Sequence, residues 1–219
     1  MKLEIKMKLS TDKMIAQIDG HIGWIVFNNP EKRNALSHEM RVAVLEILDA
    51  YRKSDDVRVV ILKGAGEQAF ISGADINQFE KGAKGEEQRK VEERVSEDIR
   101  HAYDAFPKPL IAMIHGYCLG GGLLTAMAVD LRIASDDAIF GIPAGRLGIA
   151  YPMYGVRKLV GLVGPAKAKE ILFTANRINA VEALRIGLLN QVVPRAELEA
   201  TVRKLAATIC DNAPLSIHA

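Results

Sequence analysis

Apolar and polar residues alternate in two neighbouring segments near the start of the chain, 13–19 and 21–27, with the period of a half-buried β-strand. Asp19 and Gly20 lie between them, and an Asp-Gly pair in this position is typical of a tight hairpin turn. Ser37 then precedes a segment with apolar residues at helical spacing, which predicts an amphipathic helix with a serine cap. The apolar positions of that helix are Met40, Val44, Ile47, Leu48 and Tyr51.

The rest of the chain alternates short β-like segments with helical ones, an order that predicts a largely parallel sheet inside helical layers. Pro165 stands where a helix is expected to begin, a position that proline favours. Residues 82–88 are polar and contain glycine, which indicates a loop. The predicted strands are 57–63, 110–114, 131–134, 138–140 and 189–193. The predicted helices are 86–106, the segment that Gly120 opens, 165–175, 180–186 and 196–210.

Three consecutive glycines, Gly120 to Gly122, open the helix that follows strand 110–114. Glycine at the start of a helix lets a ligand approach unpaired N–H groups at the positive end of the helix dipole. This arrangement suits an anion, or an oxygen that becomes negative during a reaction. The glycines would equally allow the helix to pack tightly against a strand, and this stretch alone does not decide between the two.

A second glycine loop follows strand 57–63. Gly64, Gly66 and Ala69 match the spacing of the dinucleotide-binding fingerprint, which requires a helix to begin at its last position. A further glycine, Gly73, follows too soon for a helix to form there, so we exclude a nicotinamide site.

Composition narrows the class of protein. A chain of 219 residues with 49% hydrophobic residues can bury a sizeable core, and a net charge of +2 with both signs interspersed gives no support to nucleic-acid binding. No apolar segment approaches the length of a membrane span, and the charged start lacks a secretory signal. Cys118 and Cys210 cannot form a disulfide framework, so we expect a cytoplasmic protein with free thiols.

Seven motifs together are similar to the enoyl-CoA hydratase/isomerase, or crotonase, superfamily, and the resemblance covers about residues 13–217. It implies an α/β fold, a spiral of ββα turns with a mostly parallel sheet and surrounding helices. Residues 1–195 would form this core. Residues 196–219 would begin a C-terminal helical region, incomplete here because family members continue with further helices. The motifs are 29–36, 70–76, 115–122, 140–143, 147–148, 175–183 and 187–193.

The resemblance also implies a chemistry. Family members bind an acyl-CoA thioester as substrate, with no permanently bound cofactor and no metal, and assemble as homotrimers or dimers of trimers. Two backbone N–H groups hold the thioester oxygen as it becomes an enolate-like oxyanion. By position, these donors would be the N–H groups of Ala74 and Gly121.

Residues 29–36 and 72–76 would line the cleft for coenzyme A. Lys32 and Arg33 would contact its phosphates as cations do, although an ordinary solvated turn explains them equally well. Asp75 is expected to anchor its loop more than to take part in catalysis. The residues that the resemblance places at the coenzyme are Lys32, Arg33, Ala35, Ser72, Gly73, Asp75, Ile76 and Gly120.

The chain departs from the hydratases at two positions. The hydratases use two glutamates as general base and general acid, and the corresponding residues of this chain are Leu124 and Ala144. Neither transfers a proton, a function usually worth about 10²–10⁴ in rate. We therefore expect a superfamily enzyme of the lyase or isomerase class that is not an efficient hydratase.

Two alternatives stay open. Residues 147–155 resemble a loop of methylmalonyl-CoA decarboxylase, in which a tyrosine at the position of Tyr151 orients the leaving carboxylate; Arg146 would hold that carboxylate. A malonyl- or methylmalonyl-type thioester would then be the substrate. The match is partial, because that enzyme has histidine at the position of Ala74. Packing of the Tyr151 ring with a hydrogen-bonded hydroxyl explains this residue equally well. The other alternative is a catalytically weak acyl-CoA-binding homologue. No partner pattern supports Cys118 as a nucleophile.

Overall fold

The computed structural model describes residues 5–75 and 85–218. Ile76 and the first part of the predicted loop 82–88 lie outside this range. The strands are β1 (Ile5–Lys6), β2 (Met14–Asp19), β3 (Ile22–Phe27), β4 (Val59–Gly64), β5 (Ala69–Ile71), β6 (Leu110–Ile114), β7 (Tyr117–Leu119), β8 (Leu131–Ser135), β9 (Ile139–Gly141), β10 (Ile178–Asn179) and β11 (Gln191–Val193). The helices are α1 (His38–Lys53), α2 (Glu86–Asp104), α3 (Gly121–Ala128), α4 (Ala144–Leu147), α5 (Met153–Thr174), α6 (Ala180–Arg185), α7 (Leu198–Asp211) and α8 (Pro214–His218).

The strands form two sheets. The larger has the order β1-β2-β3-β4-β6-β8-β11, and the smaller has the order β10-β9-β7-β5. The predicted hairpin is confirmed, since β2 and β3 pair antiparallel with Asp19 opposite Ile22. From β3 to β11 every neighbouring pair in the larger sheet is parallel.

Consecutive strands alternate between the two sheets. Strands β4, β6 and β8 belong to the larger sheet, and β5, β7 and β9, each next along the chain, belong to the smaller one. A helix follows each such pair among the described residues, so the chain advances in ββα turns. The α/β spiral with a mostly parallel sheet is therefore confirmed.

Apolar groups cover both faces of the larger sheet, which explains why its central strands have continuous apolar sequences. Val60 and Leu62 join a cluster that includes the buried face of α1, whereas Val59 and Ile61 join a second cluster. Helix α1 begins as predicted, with the Ser37 hydroxyl accepting a hydrogen bond from the Met40 N–H at 3.3 Å. Helix α7 contributes Leu198, Val202, Ala206 and Cys210 to the second cluster. The division of the chain at residue 195 stays a prediction.

The structure contains short elements that the sequence did not predict, and one long helix begins earlier than expected. The unpredicted elements are β1, β5, β7, β10, α4 and α8. A strand at Ala69 agrees with the exclusion of a dinucleotide fingerprint. Helix α5 begins at Met153, far before Pro165. Gly164 has non-helical angles (φ 77°, ψ 163°), so Pro165 does start a new helical segment, as predicted. The helical segment before it was not predicted because it contains Gly155 and Gly161, and glycine disfavours a helix interior.

Candidate functional site

Three loops meet at one edge of the smaller sheet. Strands β5, β7 and β9 are parallel neighbours. The chain leaves parallel strands at the same edge of a sheet, where open α/β folds bind their ligands. The loops that follow these strands carry Ala74, Gly121 and Ala144, so the topology places the three residues in neighbouring loops.

The Ala74 amide faces away from its neighbouring chain segment. Leu36 and Ala74 form a parallel bridge in which the Leu36 N–H donates to Gly73 O at 2.8 Å and the Asp75 N–H donates to Leu36 O at 3.0 Å. These bonds use the groups on either side of Ala74, so its own N–H points to the opposite side. In the described part of the chain, no acceptor binds the Ala74 N–H.

The Gly121 amide is the first of helix α3, and a first-turn N–H has no acceptor inside its helix. None of the described residues outside the helix accepts from it either. A methyl group built on Gly121 would lie 3.5 Å from the Ala74 nitrogen and 3.7 Å from Leu36 Cδ1. The structure therefore brings the two sequence-predicted donors to facing loops.

The three glycines differ in how strongly the local structure requires them. Gly120 has φ 49° and ψ −111°, a conformation that side chains disfavour, and its N–H donates to Gly141 O at 2.8 Å. A methyl group on Gly122 would overlap the carbonyl oxygen of Ile71 and would lie 2.8 Å from the Ile71 carbonyl carbon. On Gly121 it would make only ordinary contacts. Tight helix–strand packing thus explains Gly122 and leaves Gly121 unexplained by packing.

The two positions that hold glutamates in hydratases lie beside these loops. The Leu124 N–H donates to Gly120 O at 3.0 Å, and the Leu124 side chain is half-buried. Ala144 is buried at the start of α4, next to Pro143, whose Cδ lies 3.8 Å from a methyl group built on Gly120. Both positions are apolar, so neither supplies an acid or a base.

Tyr151 lies directly behind the glycine loop. Its hydroxyl donates to Gly120 O at 3.1 Å. The ring packs against Gly155, on which a methyl group would lie 2.6 Å from Tyr151 Cε1 and 2.8 Å from Leu124 Cδ1. Burial raises the pKa of Tyr151 far above its ordinary value, so the hydroxyl stays protonated.

Arg146, by contrast, is on the surface. Its side chain is exposed and donates to Asn176 Oδ1 at 2.9 Å. No hydrogen bond or ion pair among the described residues joins it to Tyr151 or to the glycine loop. Its role at a substrate carboxylate stays a prediction.

The segments predicted to line the coenzyme cleft contact each other. Lys32 Nζ lies 3.2 Å from Asp75 Oδ2, which is the kind of contact an anchoring role for Asp75 requires. The Ser72 N–H donates to Arg33 O at 3.0 Å, and the Ala35 N–H donates to Lys32 O at 3.0 Å. Arg33 Nε donates to Gln68 Oε1 at 3.2 Å, and its guanidinium lies 5.6 Å from the centre of the Tyr117 ring. Both cations already have partners on this surface.

Asn34 is a residue of this region whose importance the sequence analysis missed. It is fully buried with φ 56°, in the left-handed region that asparagine tolerates better than most residues. Its Nδ2 donates to Ala65 O at 2.9 Å and Ala69 O at 2.8 Å, and its Oδ1 accepts from the Asn29 N–H at 2.9 Å. One side chain therefore fixes the loop after β3 to the residue that follows β4 and to the first residue of β5.

Other chemistries find little support. Cys118 is buried, and burial raises the pKa of its thiol, which disfavours a nucleophilic thiolate. Over residues 5–75 and 85–218, no group of His, Cys, Asp and Glu is placed to hold a metal ion. No helix in the same ranges is long and apolar enough to cross a membrane.

Known proteins resemble this chain in sequence and in structure. The model of the enoyl-CoA hydratase/isomerase family matches residues 17–219. A short-chain-enoyl-CoA hydratase of Clostridium acetobutylicum is 36% identical over 213 residues, which are 95% of this chain and 79% of that protein. A crotonyl-CoA hydratase of Syntrophomonas wolfei is 34% identical over 210 residues, 96% of this chain and 80% of that protein.

Solved structures agree with these sequence matches. An enoyl-CoA hydratase/carnithine racemase of Magnetospirillum magneticum superposes with a TM-score of 0.90 at 32% identity, covering 95% of this chain and 78% of that one. An enoyl-CoA hydratase of Bacillus anthracis gives 0.89 at 33% identity, covering 94% and 80%. The chain therefore belongs to the enoyl-CoA hydratase/isomerase family.

Proposed function

We propose that this chain is an acyl-CoA thioester enzyme that stabilises a thioester enolate with the N–H groups of Ala74 and Gly121. One observation carries the proposal: the two amides lie on facing loops, and neither has an acceptor within the described residues. Gly121 leaves room beside the Ala74 nitrogen for an approaching atom. We place the thioester oxygen in that room.

The chemistry follows from where charge develops. When the α-carbon of a thioester becomes a carbanion, negative charge passes to the carbonyl oxygen. Two N–H dipoles fixed by the backbone, one of them at the positive end of helix α3, stabilise this charge without having to reorient. Coenzyme A enters as part of the substrate, and Lys32 and Arg33 are our candidates to contact its phosphates.

Leu124 and Ala144 make efficient hydration an unsuitable reaction for the unmodified site. A second candidate is decarboxylation of a malonyl-type thioester, which these apolar positions favour. Breaking the bond between the α-carbon and the carboxylate releases CO₂ and leaves its electron pair as the enolate. A proton from water then completes the product, so no base is needed to begin. Assembly as a trimer and a cytoplasmic location remain predictions from the family.

A panel of CoA thioesters tests the proposal. Calorimetry would measure binding of crotonyl-, butyryl- and malonyl-type thioesters, and mass spectrometry would identify any product. We expect binding of at least one thioester and turnover of a malonyl type if decarboxylation is the reaction. Binding without turnover of any thioester would indicate a binding homologue, and no detectable binding would overturn the proposal.

Restoring the two carboxylates is expected to create hydratase activity. In the double variant Leu124→Glu, Ala144→Glu, hydration of crotonyl-CoA should rise by about 10²–10⁴-fold, the usual contribution of a placed acid–base group. The matched control is Leu124→Gln with Ala144→Gln, because amides of similar size cannot transfer the proton. Equal rates in the two folded double variants would show that this cleft is not built like that of a hydratase.

A further inference from the structure

The carbonyl of Gly120 and the N–H of Gly121 belong to one peptide group. That group is therefore held from behind through its carbonyl oxygen, while its N–H points from the start of α3 into the proposed oxyanion site. Two donors reach the oxygen, the Leu124 N–H at 3.0 Å and the Tyr151 hydroxyl at 3.1 Å. The Leu124 bond is an ordinary hydrogen bond in the first turn of α3. The Tyr151 bond comes from a side chain in the segment just before helix α5.

We propose that Tyr151 is a positioning residue, whose hydroxyl fixes and polarises the Gly120–Gly121 peptide so that the Gly121 N–H binds the thioester oxygen more strongly. The inference rests on the proposed function and assigns Tyr151 an indirect part in it. Tyr151 acts through the peptide group and does not touch the substrate.

Two physical effects support this role. A hydrogen bond to a carbonyl draws electron density through the amide, and successive bonds in such a chain strengthen one another. The Gly121 N–H thereby becomes a better donor. The second effect is orientation. Gly120 has no side chain to restrict φ and ψ, so the hydrogen bonds made by its N–H and by its carbonyl oxygen hold the peptide groups on either side of it. The direction of the Gly121 N–H is fixed in this way.

The surroundings of Tyr151 suit a fixed donor. Its ring packs against Gly155, where even a methyl group would collide with it. The hydroxyl carries one proton, which it gives to Gly120 O in this structure. That proton cannot be given to a substrate carboxylate at the same time, so positioning the peptide and orienting a leaving carboxylate are distinct roles.

The test measures polarisation of a bound thioester directly. Crotonyl-CoA labelled with ¹³C at the carbonyl would be bound to the protein, and difference infrared spectroscopy would record the carbonyl stretch. We expect a shift to lower frequency on binding to the unmodified protein. In Tyr151→Phe we expect that shift to shrink by about 10–30%, the strengthening attributed to one bond in a hydrogen-bonded chain. We also expect turnover of any substrate found to fall about 3- to 10-fold while the dissociation constant of free CoA stays unchanged.

The matched control is Tyr154→Phe, which removes a hydroxyl from the same segment of chain. The Tyr154 hydroxyl donates to Asp104 Oδ1 at 2.8 Å and has no contact with Gly120. Its loss should leave the carbonyl frequency unchanged. A full-sized shift in Tyr151→Phe would overturn the role of Tyr151 and leave the proposed function intact. Absence of any shift in the unmodified protein would overturn the proposed function, and this inference with it.

A second replacement tests the opposite direction if Tyr151→Phe folds poorly. With 3-fluorotyrosine at position 151, the more acidic phenol donates a stronger hydrogen bond while the ring keeps nearly the same shape. The carbonyl shift of bound crotonyl-CoA should then increase. A decreased or unchanged shift in this folded variant would also contradict the proposed role.

Discussion

Replacing Gly121 by alanine keeps the backbone N–H, but we expect its methyl group to exclude the thioester oxygen and to lower turnover of a CoA thioester by about 10²–10³-fold, as much as the loss of one oxyanion donor usually costs. The added methyl would lie 3.5 Å from the Ala74 nitrogen, in the room we assign to the thioester oxygen. The protein should still fold, because the methyl makes only ordinary contacts and Gly121 has no positive φ.

The measurement is steady-state turnover of whichever thioester the panel identifies, together with the affinity for free CoA, which should not change. Gly161→Ala is the matched control, since Gly161 also lies in a helix and a methyl there would meet nothing within 4 Å. Undiminished turnover in Gly121→Ala would place the thioester carbonyl elsewhere.

Replacing Gly122 by alanine should have a different consequence, because it should lower the stability of the fold. In Gly122→Ala the methyl would overlap the Ile71 carbonyl, and backbone oxygen in a strand cannot move aside alone. Such overpacking should lower the free energy of unfolding by about 3 kcal/mol. For a chain of this size we expect the melting temperature to fall by about 6–12 °C.

Thermal unfolding followed by circular dichroism would measure this effect. Gly161→Ala again provides the control, and it should be neutral or stabilise by up to about 1 kcal/mol because alanine favours a helix interior. A melting temperature of Gly122→Ala equal to that of the unmodified protein would mean that α3 and β5 are packed less closely than the structure shows.

Periodicity predicted most of the long elements because their patterns are strong, but it missed the part of α5 before Pro165, which contains Gly155 and Gly161. The hairpin at Asp19 and Gly20 and the cap at Ser37 both follow from local chemistry, and both are confirmed. The short strands β5 and β7 escaped notice since a three-residue segment shows no period. Without them, composition and spacing could not indicate a second sheet, and the spiral could only be expected from family resemblance.

The candidate site was predictable to a different extent for each residue. The motifs identified Ala74 and Gly121 by position, but their proximity depends on β5 and β7 being parallel neighbours, which no local pattern encodes. The resemblance to a decarboxylase loop drew attention to Tyr151 but did not predict its hydrogen bond to Gly120, because a side chain's partner depends on how α5 approaches α3. Asn34 passed unnoticed since two of its three side-chain hydrogen bonds, those to Ala65 O and Ala69 O, join segments that lie far apart in sequence.

The site we propose uses main-chain groups of Ala74 and Gly121, and this has a consequence for how such a protein changes over time. A substitution alters a side chain and leaves the peptide bond in place, so charge stabilisation of this kind is inherited together with the fold. Neighbouring positions such as Leu124 and Ala144 are then free to gain or lose proton-transfer groups. One ancestral scaffold can in this way give rise to lineages that share an intermediate and differ in its fate.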